Sequence, residues 1–224
     1  MRLFSVSVSF VSVLLSASLG HATQGFYFLS SSSVNLATFP APPAEGSAED
    51  IKDLDGVRAY QRTRTQADCN RASSEAGASL DSFYGAPYGP LNEAEISKVQ
   101  SLYLDVFNDT DFFVSILKAK WRRPRPYVRD PNIKLCIPSH PAASYPSGHA
   151  AMARIGALML SKLYPTKTAD LLKRGDLIGL DRVIGGVHHP LDIEEGKHLG
   201  DLVFEALLNS AEFNKRLRLI RRER

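Results

Sequence analysis

Cysteine is scarce: Cys69 and Cys136 are the only two in 224 residues, too few for a scaffold held together by disulfides. Charge of one sign is lacking as well, with 27 Lys and Arg against 24 Asp and Glu. Six of the basic residues, Lys215, Arg216, Arg218, Arg221, Arg222 and Arg224, crowd into the last ten positions against Glu223 alone. The remainder is slightly acidic, which is not the electrostatic footprint of a nucleic-acid binder. Beyond the first 22 residues no apolar run is long enough to span a bilayer. We find no internal repeat and no convincing run of strand-like alternation. A composition of 44% hydrophobic and 23% charged residues excludes a disordered chain and a collagen-like fibre.

What is present reads first as an exported chain. Arg2 precedes a charge-free run from Leu3 to Gly20, followed by Gly20-His21-Ala22 with small residues at −3 and −1, the pattern of a signal peptide over residues 1–22. Six serines in that run weigh against the rival reading, a retained membrane anchor. The expected location is periplasmic or secreted, with no stable membrane insertion of the mature chain. In an oxidising compartment a Cys69–Cys136 bridge is expected, with two buried free thiols as the alternative.

Residues 23–46 carry a serine cluster and Pro40, Pro42 and Pro43, so an irregular N-terminal arm is expected. Residues 47–214 then read as one all-α domain, a single helical bundle, and 215–224 as a basic tail, a solvated and frayed helix end. Ser47 with Asp50 opens a helix expected to reach Ser74. Asn92 with Glu95 opens another, bearing Ile96, Val99, Leu102 and Val106 on one face. A third is expected from Asp111 to Trp121, opened by Thr110. Six prolines between 124 and 146 argue against regular helix there. Ser147 begins a helix to about Tyr164, Thr168 one to about Ile184, and Pro190 one to about Leu208.

Three short motifs carry chemistry: Lys118-x6-Arg125-Pro126, Pro146-Ser147-Gly148-His149, and Arg182-x5-His188-x3-Asp192. Each alone has a bland explanation: a solvated cation, an N-cap, a surface helix pair. Together they assemble an oxyanion site. Ser147 at an N-cap leaves the backbone N–H groups of the following turn free for an anion. Gly148 permits close approach to the backbone. Lys118, Arg125 and Arg182 supply three cations and fork-shaped donors, a set suited to a phosphoryl transition state. Pro190 as first helical residue puts Asp192 where it reaches back to His188, fixing one ring nitrogen and freeing the other as nucleophile. His149 is then the general acid. His189 is structural or touches substrate, and His140 and His198 receive no role.

These ten fixed identities resemble the signature of the type 2 phosphatidic acid phosphatase superfamily. That superfamily joins lipid phosphatases, bacterial nonspecific acid phosphatases and vanadium-dependent haloperoxidases. Over roughly residues 36–213 the chain most resembles the class A bacterial acid phosphatases, whose Gly-Ser-Tyr-Pro-Ser-Gly-His-Thr pattern is close to Ala143–His149 followed by Ala150. The resemblance implies hydrolysis of small phosphomonoesters through a phosphohistidine on His188, with Asp192 as its partner and His149 as acid. Lys118, Arg125, Ser147, Gly148 and Arg182 would bind phosphate, with no metal and no cofactor. Two departures stand out: Asp181 where serine is usual, and Ala150 where threonine is usual. An acid beside the pocket is expected either to weaken anion binding or to alter the pH optimum. The alternatives are a vanadate-dependent haloperoxidase, a lipid phosphatase, and a non-catalytic phosphate-binding protein whose basic tail docks on acidic surfaces. A homo-oligomer stays open.

Overall fold

The computed structural model describes residues 26–222, so the leader reading lies outside the described residues. Eight helices follow one another: α1 (Ala48–Thr63), α2 (Gln66–Ser74), α3 (Glu93–Trp121), α4 (Pro126–Arg129), α5 (Gly148–Leu163), α6 (Thr168–Ile184), α7 (Pro190–Leu208) and α8 (Ala211–Arg222). Among the described residues there is no strand, only an isolated bridge between Tyr84 and Leu91. The fold is all-α, and no described helix is long and apolar enough to cross a membrane.

Helix α5 runs through the centre, packed against α6 and α7. Its buried face mixes Ile155, Met159, Leu160 and Leu163 with Ala150, Ala151, Ala153 and Ala157. The large residues fill the core and the small ones let neighbouring backbones come close. Gly196 on α7 marks the tightest approach: a Cβ there would sit 2.5 Å from the Ser147 carbonyl oxygen. This crossing ties two of the motifs together, because Ser147 N also donates to the Asp192 carbonyl at 2.8 Å. The disulfide Cys69–Cys136, with Cα atoms 5.4 Å apart, fastens α2 to the segment that leads into α5.

Local chemistry moved several boundaries. The expected helix from Ser47 to Ser74 is two helices, because Thr65 and Asp68 form a capping box that restarts the chain. The Arg64 side chain between them donates to the carbonyls of Ile184 and Lys134. Conversely, the two helices expected on either side of Thr110 are one, 29 residues long. Thr110 does not cap; its hydroxyl donates to the Val106 carbonyl inside the helix at 2.7 Å. Asp109 beside it faces outward from the helix and accepts backbone N–H groups from Tyr27, Phe28 and Leu29, anchoring the irregular segment 26–46 across α3. The proline-rich stretch does hold one helical turn, α4, with Pro126 at its first position. The basic end is no frayed coil up to Arg222: α8 buries Phe213 and Leu217, and Arg216 pairs with Asp105 on α3.

Candidate active site

Helix ends converge on a cavity of about 490 Å³. Lys118 reaches it from the last turn of α3, Arg125 from the N-cap of α4, and Gly148 and His149 from the first turn of α5. Arg182 arrives from the last turn of α6. After α6 the chain turns through Gly186, at φ +83°, a conformation that costs a residue with a Cβ. The turn is closed by Val187 N and His188 N donating to the Arg182 carbonyl, which brings His188 back beside Arg182. Motifs 60 residues apart in the chain are thus lined up around one space.

The cations are held by carbonyls. Lys118 Nζ donates to the Ala143 and Ser144 carbonyls at 2.5 and 3.3 Å. Arg125 donates from Nε to the Ala142 carbonyl at 2.7 Å and from Nη1 to that of Val187 at 2.9 Å. Arg182 is different. It is 5% exposed, yet its Nε and Nη1 have no hydrogen-bond partner among the described residues. Buried ionic donors left unpaired are costly unless an anion meets them. Crowding of positive charge shows in the proton affinities. Burial, then Arg125, pushes Lys118 down to about 7. Burial and Arg125 likewise lower Arg182 to about 10.

His188 and Asp192 sit behind these cations. Nδ1 of His188 is 3.2 Å from Asp192 Oδ2, and Nε2 is 3.3 Å from Nη1 of Arg125. A guanidinium only donates, so Nε2 carries the lone pair and Nδ1 the proton. Burial holds the His188 pKa well below its ordinary value, reinforced by Arg125 and Lys118 and opposed by Asp192. For Asp192, burial would raise the carboxyl, but hydrogen bonds from His188 and His189 hold it well below the carboxylate range. His149 directs Nε2 at the Ala76 carbonyl, 2.9 Å away. A carbonyl only accepts, so that nitrogen bears the proton. Burial and then Arg182 lower His149 to about 3.

Three of the expectations are adjusted. Ser147 is fully buried and does not line the cavity; its Oγ accepts from Ala150 N as the N-cap of α5. The Asp181 carboxylate does not add free negative charge at the pocket, because Arg71 of α2 takes both its oxygens, at 2.7 Å for the shortest contact. His140, given no role above, lines the cavity.

Sequence reasoning also missed the groups behind Asp192. Arg123 Nη1 donates to Oδ1 at 2.7 Å and the Ser144 hydroxyl to Oδ2 at 2.5 Å. Arg123 is itself held by Asp53 and Asp50 of α1. His189 is the N-cap of α7, in a capping box with Asp192; Arg129 donates to its Nε2 side at 3.3 Å. Only the pair Ser47–Asp50 hinted at any of this, and it pointed to a helix start. Among the described residues no group of three or more His, Cys, Asp and Glu side chains could hold a metal ion.

Known proteins match the chain in sequence and in fold. The family model described as the PAP2 superfamily matches residues 106–216, the stretch that contains all three motifs. A non-specific acid phosphatase of Providencia stuartii is 30% identical over 205 residues, spanning 85% of this chain and 82% of that protein. An acid phosphatase of Zymomonas mobilis is 27% identical over 191 residues, 81% of this chain and 72% of its own length. Among solved structures, LpxE of Aquifex aeolicus superposes with a TM-score of 0.55 at 28% identity, over 70% of this chain and 94% of that one. A bacterial vanadium-dependent iodoperoxidase superposes with a TM-score of 0.63 over 82% of this chain and 54% of that one. At 16% identity it shares the fold alone. With the motifs, their geometry and a relative matched over most of both lengths, the chain belongs to the PAP2 superfamily.

Proposed function

We propose that this chain, a phosphatase of the PAP2 superfamily, hydrolyses phosphomonoesters through a phosphohistidine on Nε2 of His188. One observation carries the reading: His188 turns its Nε2 lone pair toward a cavity in which buried Arg182 keeps two donors unpartnered. A bound phosphate answers both, taking the Arg182 donors and replacing the Arg125 contact at Nε2.

Nε2 attacks phosphorus as the ester P–O bond breaks, and the bonding pair leaves with the alcohol oxygen. Asp192 holds Nδ1–H throughout and balances the charge that the ring gains. Lys118, Arg125, Arg182 and the first-turn N–H groups of α5 hold the equatorial oxygens, where charge builds in the transition state. His149, protonated on Nδ1 while Nε2–H stays on the Ala76 carbonyl, gives that proton to the leaving oxygen. It then takes one from water, which attacks the phosphohistidine, releasing phosphate and restoring His188. Because three fixed cations meet the phosphoryl charge, we assign the reaction to the protein groups without a metal. With the leader-like sequence of residues 1–22 and the Cys69–Cys136 bridge, we place the protein in the periplasm or outside the cell.

The test is hydrolysis of p-nitrophenyl phosphate with EDTA present, with and without vanadate. EDTA-resistant turnover that vanadate inhibits and that favours acid pH is the expected result. Absence of turnover, or loss of activity to EDTA, contradicts it.

A further inference from the structure

The cations account for the floor of the cavity, but not for its α3 wall. Phe107, Asp111, Ser115 and Lys118 all line it, and their spacing places them on one face of α3 as a stripe running outward from the floor. Asp111 and Lys118 are seven positions apart, about 10 Å along the helix axis. A phosphate held at Lys118 has room for its alcohol portion along this stripe, which would set Asp111 beside the far end of that portion. Asp111 is exposed and forms no hydrogen bond or ion pair among the described residues. Among the described residues that line the cavity, Asp111 is also the one carboxylate. Its field reaches the floor, where it counters the burial and the Arg125 repulsion that lower Lys118.

We infer that Asp111 is the specificity-determining residue of a leaving-group subsite, selecting phosphomonoesters whose alcohol carries a cationic or neutral far end over those bearing a second anion there. The inference rests on the phosphatase reading and names the substrate class of that same site. The floor, rich in cations, would otherwise draw a second anionic group into the cavity. An unpaired carboxylate at the mouth repels it and leaves the phosphoryl group as the only anion admitted. An ammonium at the same distance is attracted, and the Phe107 ring, one turn further out on α3, bounds the subsite beyond Asp111.

Hexyl phosphate, its ω-amino analogue and its ω-carboxylate analogue separate the terms, because six methylenes keep the far end from altering the ester bond. Each is measured as a competitor of p-nitrophenyl phosphate hydrolysis by the full chain at low ionic strength. The expected inhibition constants rise in the order amino, neutral, carboxylate, by about 3- to 5-fold per step, the size of an exposed charge pair. In Asp111→Asn the preference for the amino end is lost and the carboxylate analogue gains most, because the floor cations act unopposed, and in Asp111→Lys the order reverses. Asp111 is exposed, so neither variant threatens the fold. Equal constants in the wild type, or an unchanged order in Asp111→Asn, overturn the subsite. Failure of the wild type to release p-nitrophenol is a different result, which overturns the phosphatase reading and the inference that rests on it.

Discussion

Arg123 and Asp192 form a buried ion pair, Nη1 to Oδ1 at 2.7 Å, with both side chains sealed from solvent. The other carboxylate oxygen of Asp192 faces His188, His189 and Ser144. One carboxylate thus sits between the candidate nucleophile and a cation that never lines the cavity. Arg123 fixes Asp192, and Asp192 fixes the His188 tautomer, so Arg123 is a positioning residue.

Replacing Arg123 by Met is expected to cost about 3–5 kcal/mol of stability, since it strands Asp192 and Asp53 without their shared cation, while Asp50 keeps its pair with Arg129. Turnover should fall while KM stays close to that of the wild type, because no cavity group is removed. Arg123→Lys, which keeps the charge but not the fork, should recover stability more than turnover. Denaturant melts with paired kcat and KM values check this. A rise in KM with kcat intact contradicts the positioning role.

Anion affinity should depend on pH through Lys118. Burial and Arg125 lower it to about 7, with Asp192 and Asp111 opposing. It is charged below that value and loses its charge as pH rises through it. Inhibition by tungstate, a stable dianion, should therefore weaken above about pH 7, approaching tenfold per pH unit at most. In Lys118→Met inhibition should be weaker overall and lack this break. A break that persists in the variant assigns it to another group.

Acid should destabilise the unliganded protein. His149, with an ordinary value of 6.5, is lowered to about 3, and His188 moves in the same direction. Between those values the unfolded chain binds protons that the folded one refuses. The stability from neutral burial is present above 6.5 and is lost as pH falls toward 3. Each such group contributes at most about 1.4 kcal/mol per pH unit. His149→Gln, whose amide can still meet the Ala76 carbonyl, should show a shallower loss. Added phosphate should oppose the loss in the wild type, by favouring charged histidines. Parallel acid melts decide it, and identical slopes in variant and wild type contradict the assignment.

Packing at the α5–α7 crossing should be intolerant. A methyl at Gly196 meets the Ser147 carbonyl oxygen at 2.5 Å and the Ala150 Cβ at 2.9 Å. Gly196→Ala is expected to cost about 1–3 kcal/mol and to lower turnover by shifting the start of α5. Thermal melts and activity together check it. Full stability with full turnover contradicts the tight crossing.

The helices α6 and α7 were legible because their ends carry local punctuation, above all Pro190, and their cores follow the helical period. The Asn92–Glu95 capping box likewise marked the start of α3. The false break at Thr110 shows the limit of such signals. A threonine that caps and a threonine that bonds back into its own helix look alike until Asp109 is seen holding the N-terminal segment. The missed Thr65 restart is the same ambiguity reversed. In the site, the gathering of His188, His149 and the three cations around one cavity, with Asp192 against His188, was readable because it depends on spacing within short motifs. Arg123, Ser144 and Asp50 were not, since their meaning arises from contacts across 48 to 73 residues. The Asp181 ion pair was hidden for the same reason: its partner, Arg71, lies 110 residues away.

The central claim is the covalent step on His188. The most direct test mixes enzyme with labelled substrate, quenches in alkali, where phosphohistidine survives, and locates the label by mass spectrometry. Label is expected on the His188 peptide in the presence of EDTA, lost on chase with unlabelled substrate, and absent in His188→Ala along with turnover. Turnover near the wild-type level in His188→Ala, or label on another residue, would contradict it.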